Sequence, residues 1–156
     1  MEAVSLRDVI GKARRVVLWG IGNEKKGDYG FGAYLAEALM IAVRNPNFLP
    51  LNCREVPESQ AGVTVRFAPE LLIVAVPLEI GAEPGKLVVA EPQEALKDVP
   101  EEFRPQLEVT LRHVSELLPR TRIVVLGCQP GNEKEVTEAV KRCVRTLSIA
   151  FHDIFD

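Results

Sequence analysis

The chain has 156 residues, 47% of them hydrophobic, with 19 Lys and Arg against 22 Asp and Glu for a formal charge of -3. That length and apolar content suit a single domain spanning residues 1–156, large enough to bury about two-thirds of its unfolded surface. The mixed charge argues against nucleic-acid binding, which calls for a clustered excess of Lys and Arg.

Residues 1–15 are charged and lack the apolar core of a secretory signal, and no apolar run reaches the length of a membrane span. Cys53, Cys128 and Cys143 form neither an even set nor a Cys-x-x-Cys pair. A reducing cytoplasm is therefore the expected compartment, with each thiol packed as a small apolar group.

In chain order, residues 5–10 read as a short amphipathic helix closed by Gly11. A strand over 15–19 runs into a glycine-rich loop, followed by a helix carrying Leu35, Leu39 and Ala42 at helical spacing until Asn45-Pro46 ends it. Strands are expected at 48–52, 71–76, 86–89 and 122–126. A helix from Phe103 to Leu118 repeats apolar residues by fours and a three and stops at Pro119. A last helix over 133–147 has Asn132 and Glu135 spaced as a capping box. The tail from Phe151 to Asp156 is left as a docked strand or a frayed end. Residues 60–69 have strand propensity where a parallel crossover calls for a helix, so both remain open. The alternation of apolar runs with helical segments predicts a three-layer α/β fold: a mostly parallel twisted sheet of about five strands, flanked by helices on both faces.

The loop Gly20-Ile21-Gly22-Asn23, with Gly27-Asp28-Tyr29-Gly30-Phe31-Gly32 after it, sits where open α/β sheets build their sites. It is not a nucleotide cradle by pattern. The third glycine of a dinucleotide fingerprint is replaced by Lys25, and no Gly-Lys-Ser or Gly-Lys-Thr occurs.

Five ordered segments carry a resemblance: this loop; Val56-Pro57-Glu58-Ser59; Leu71-Leu72-Ile73-Val74 with Glu79-Ile80-Gly81 and Glu83-Pro84-Gly85; Leu126-Gly127-Cys128-Gln129-Pro130; and Val136-Thr137-Glu138-Ala139-Val140. Together, over about residues 16–147, the chain resembles the maturation endopeptidases of nickel-iron hydrogenases. The resemblance implies trimming of a C-terminal extension from the hydrogenase large-subunit precursor after nickel insertion. The nickel is then supplied by the substrate, and the enzyme needs no cofactor of its own. The precursor is the expected partner, a membrane or nucleic acid is not, and the protein is expected as a monomer or small homo-oligomer.

The family addresses nickel with a first-loop acid, an aspartate after the central strand and a histidine from a later loop. Here Tyr29 stands at the first position beside Asp28, Ala75 or Val76 at the second, and no histidine near Phe103 to Pro105 at the third. A phenol, with an ordinary pKa near 10, is a poor nickel ligand at neutral pH. Asp28 and Glu79 are the candidate metal-facing carboxylates, and Gly22, Asn23 and Tyr29 the candidate substrate-binding residues.

Ordinary roles stand beside these. Asp28 suits a helix N-cap, Asn23 an Asx-turn, Glu79 a solvated loop acid, Tyr29 a ring covering the site, His113 a solvated helical residue and Gln129 a strand terminator that also shapes the cleft. Three functions remain open: endopeptidase, a binding or assembly factor that has lost metal contact, and a small-molecule enzyme on the same kind of sheet.

Overall fold

Residues 16–21 combine β-branched, aliphatic and aromatic side chains with one glycine, and they are buried throughout as β1 (Val16–Ile21). The computed structural model describes residues 3–156, with side chains from Leu6 onward. β2 (Phe48–Arg54) and β3 (Leu71–Pro77) pair with β1 on either side, β5 (Arg122–Cys128) pairs with β3, and β4 (Leu87–Ala90) closes the order β2-β1-β3-β5-β4. β4 runs antiparallel to β5, and the other pairs are parallel. All five expected strands form. β1, β2 and β5 each run two residues past the expected carboxyl end.

Alternate residues of each strand point to opposite faces. Leu18, Ile73 and Leu126 pack under α1 (Ala3–Ile10), α2 (Phe31–Ala42) and α6 (Glu138–Phe155). Trp19, Val74 and Val125 pack under α3 (Ala61–Phe67), α4 (Pro92–Ala95) and α5 (Arg104–Leu117). The expected three-layer arrangement is therefore the one observed. α2 follows β1 on one face while α5 leads into β5 on the other, so a crevice falls outside the carboxyl ends of β1 and β3.

Residues 60–69 are resolved in favour of a helix, α3, against the propensity of Val63, Thr64 and Val65. Tertiary contacts hold it at two points. The buried Trp19 indole Nε1–H donates to Thr64 Oγ1 at 2.8 Å, and that hydroxyl donates to Gln60 O at 2.8 Å. At the C-terminal end Ala68 adopts a left-handed conformation, and Arg15 donates Nε–H and Nη2–H to Phe67 O at 3.0 and 2.7 Å. The same guanidinium lies 3.9 Å from the Phe67 ring centroid.

The last helix differs from expectation at both ends. It begins at Glu138 with Thr137 as its cap, accepting from Val140 N–H at 3.3 Å, rather than at Asn132. Asn132 Oδ1 does accept from Glu135 N–H, and also from Lys134 N–H, but this closes a turn that does not propagate. The tail neither frays nor forms a strand. α6 continues through Phe155, whose ring stacks on Phe48 at 4.5 Å, while Asp156 accepts from Arg44 and Asn45 N–H at 3.0 and 3.1 Å. Among the described residues, no helix is long and apolar enough to cross a membrane.

Thr64→Val keeps the shape of the side chain but orphans the buried Trp19 indole. It is expected to cost ~1–3 kcal/mol, read as a lower denaturant midpoint at unchanged slope; an unchanged midpoint contradicts this account of α3.

Candidate active site

The glycines after β1 serve close packing of backbone on backbone. A Cβ on Gly32 would collide with Ala75 O and Ile21 O, and one on Gly20 with Gly32 O. The first turn of α2 thus presses directly on the carboxyl ends of β1 and β3, the space a phosphate would need. Gly27 takes φ +53°, and a Cβ there would lie 2.5 Å from Asn132 O, so the β1 loop also abuts the loop after β5.

Asp28 joins those two loops. It is 0% exposed, and its carboxylate accepts four hydrogen bonds. Oδ2 takes Gly131 N–H at 2.8 Å, Asn132 N–H at 3.2 Å and Thr137 Oγ1–H at 2.9 Å, while Oδ1 takes Thr137 N–H at 2.7 Å. Its own N–H donates to Asn132 O at 2.8 Å. The expected N-cap role is not the observed one, since the short turn Gly27–Gly30 and α2 have no side-chain cap. A carboxylate expected to face a metal is turned into the 131–137 loop, its lone pairs matched by donors.

Tyr29 and Glu79 meet. The half-buried Tyr29 donates its phenolic hydrogen to Glu79 Oε2 at 2.8 Å, spanning from the β1 loop to the loop after β3. Burial pushes the Tyr29 phenol up to about 12, reinforced by the hydrogen bond to Glu79 and by the negative charges of Glu79, Glu133 and Glu102. Tyr29 is therefore a neutral donor that orients Glu79. Gln129 fixes the loop carrying that acid, because its Oε1 accepts from Ile80 N–H at 2.8 Å and Ala82 N–H at 3.3 Å. Glu79 N–H itself donates to Asp98 O at 2.9 Å.

On the β2 side, Gly22, Asn23, Glu24, Lys25, Arg54 and Glu55 line a trough of about 620 Å³ at the carboxyl end of β1. Asn23 makes the expected Asx-turn, its Oδ1 accepting from Lys25 N–H at 3.0 Å. Arg54 adopts φ +52°, and its carbonyl accepts Gly22 N–H at 2.9 Å, which ties the two walls together.

Two residues of this edge were missed from sequence, Glu102 and Lys26. They form an ion pair at 3.5 Å, and Glu102 lies close enough to add its field to Tyr29. The signal available was position alone: Glu102 lies two residues before the start of α5 and next to the stretch Phe103 to Pro105 where the family's histidine was sought. His113 is exposed on α5, and His152 sits on α6 with Nδ1 2.9 Å from Ala42 O. Among the described residues, no group of three or more His, Cys, Asp or Glu is arranged to hold a metal ion. The edge offers one exposed carboxylate on a fixed phenol, flanked by a trough with two cationic and two anionic walls.

Two measurements probe this geometry. Asp28→Asn places an amide N–H₂ against hydrogen-bond donors and is expected to lower stability by roughly 1.5–3 kcal/mol for each charge-assisted bond lost; a denaturant midpoint equal to the wild type contradicts the clip. The folded Tyr29 phenol has its pKa above its unfolded value near 10, so its stabilising effect is present below about 10 and is lost as pH rises through about 12. In a Tyr34→Phe background, Glu79→Gln is expected to bring the appearance of the ultraviolet phenolate band down in pH toward 10. The same titration with and without the change contradicts the Tyr29–Glu79 bond.

Neither a family model nor a curated protein sequence matches the chain. Among solved structures it is similar to the nickel-iron hydrogenase maturation protease HycI from Thermococcus kodakarensis KOD1, with a TM-score of 0.83 and 32% identity over 97% of this chain and 98% of that one. A hydrogenase 3 maturation protease matches with a TM-score of 0.70 and 22% identity over 86% of this chain and 87% of that one. The hydrogenase maturating endopeptidase HybD from E. coli matches with a TM-score of 0.69 and 18% identity over 88% and 89%, and these two more distant likenesses speak for the fold alone. With about a third of residues shared along nearly the full length of both HycI and this protein, the chain belongs to the nickel-iron hydrogenase maturation proteases.

Proposed function

We propose that this protein is an endopeptidase that trims the C-terminal extension of a nickel-iron hydrogenase large-subunit precursor after nickel has been inserted. The observation that carries the reading is the trough at the carboxyl end of β1, next to the Tyr29–Glu79 pair at the β1/β3 crevice. An extended peptide tail lies along Gly22 and Asn23, where the missing side chain at Gly22 lets the Tyr29–Gly30 backbone pack close beneath the trough. Glu79, held by Tyr29, is the acid that meets the substrate's nickel. Asp28 acts at one remove, by holding the 131–137 loop against the glycine turn. The nickel arrives with the substrate and polarises the scissile carbonyl or activates water, which is why few protein groups are required. The compartment proposed is the cytoplasm.

A second reading is favoured by one specific observation, the lack of any clustered set of acids and imidazoles among the described residues. In it the protein keeps the trough for the large-subunit tail but has lost cleavage, acting as a binding or assembly factor.

Nickel-loaded and nickel-free precursors incubated with the purified protein separate the two. The endopeptidase reading expects the loaded precursor alone to lose the mass of its extension, and Glu79→Gln to slow that loss by about tenfold or more, a difference of ~1.4 kcal/mol or above in transition-state stabilisation. A stable complex with both precursors, neither of them shortened, rejects cleavage and supports the binding factor.

A further inference from the structure

Asn23 is held by three hydrogen bonds that leave one side of its amide unused. Its backbone N–H donates to Tyr29 O at 2.8 Å, and its backbone oxygen accepts from Lys26 N–H at 3.0 Å. Its Oδ1 accepts from Lys25 N–H at 3.0 Å. Because only an oxygen can accept there, the bond also determines which end of the amide is which. The two hydrogens of Nδ2 have no protein acceptor among the described residues, although Asn23 is half-buried and lines the trough. Asn52, nearby on β2, is different: its Nδ2 donates to Glu37 Oε1 at 2.9 Å. Asn132 makes the same kind of turn as Asn23, but on an exposed loop. At Asn23 the turn coincides with the trough, and the backbone N–H of the adjoining Glu24 also lacks a protein acceptor among the described residues.

We propose that the side-chain amide of Asn23 is the oxyanion donor for peptide cleavage in this trough, a role that rests on the endopeptidase reading above. Water adds to the scissile carbonyl carbon, and the π pair of the C=O bond moves onto its oxygen. Nδ2–H of Asn23 donates to that oxyanion. When the pair returns, the C–N bond breaks and the proton surrendered by the attacking water goes to the leaving nitrogen. One water is consumed, and one carboxylic acid and one amine are formed, the acid passing its proton to the amine to leave carboxylate and ammonium at neutral pH. A donor already fixed by the Lys25 bond needs no reorganisation as the charge develops, which is the condition under which such donors act most strongly.

The test uses the full chain and a nickel-loaded precursor. Asn23→Asp retains an oxygen for Lys25 N–H, so the turn survives, but it removes the donor. Asn23→Ala removes donor and acceptor without adding charge. Both are expected to lower kcat by about 10²–10³-fold with KM little changed, and Asn23→Asp to keep the wild-type melting midpoint. If the wild type cleaves and Asn23→Asp cleaves equally fast, the assignment of Asn23 is overturned while the endopeptidase reading stands. If Asn23→Asp is slow but Asn23→Ala is not, the added charge is responsible and the assignment is again overturned. A wild type that never cleaves overturns both.

Discussion

One buried carboxylate organises the functional edge of this protein. A charge removed from water is tolerated only when donors replace its hydration, and Asp28 has four, all from residues 131–137. That requirement fixes the loop after β5 against the turn after β1, and Gly27 lets the two backbones touch. It also explains where α6 begins. Thr137 N–H and hydroxyl are both committed to Asp28, so the backbone turns helical only beyond that residue, with Thr137 Oγ1 capping Val140.

From that clip the order spreads across the sheet edge. Gln129, just before the clipped loop, holds the loop after β3 through Ile80 and Ala82 N–H. That loop carries Glu79, and Glu79 accepts the phenol of Tyr29, the residue next to Asp28. Three loops from three strands are thus connected in a ring of hydrogen bonds around the β1/β3 crevice. A site of this kind depends on positioning, with its groups placed before the substrate arrives, rather than on many reactive side chains.

Much of this was legible in the sequence. The buried runs of β1 and β3 announced a parallel sheet, and the position of Gly20-Ile21-Gly22-Asn23 after the first run located the working edge. The Asx-turn at Asn23 and the helix from Phe103 to Leu118 followed from local chemistry, which local sequence can express. What escaped depends on partners distant in the chain. α3 is helical because Trp19 needs Thr64 and because Arg15 satisfies Phe67 O, contacts 45 and 52 residues apart that propensity cannot register. Asp28 looked like a cap because its true donors lie more than a hundred positions away. Glu102 and Lys26 face each other only once α5 has docked on the sheet, and the end of α6 is helical because Phe48 receives Phe155.

The account stands on the trough beside β1 being the place where a large-subunit tail lies. Amide hydrogen exchange of the protein alone and in the presence of the precursor tests this directly. The expected result is slowed exchange in the segments spanning residues 22–25 and 54–55, with the outer face of α2 and α6 unchanged. Protection confined to that helical face or to β4, with exchange beside β1 unaltered, would contradict it.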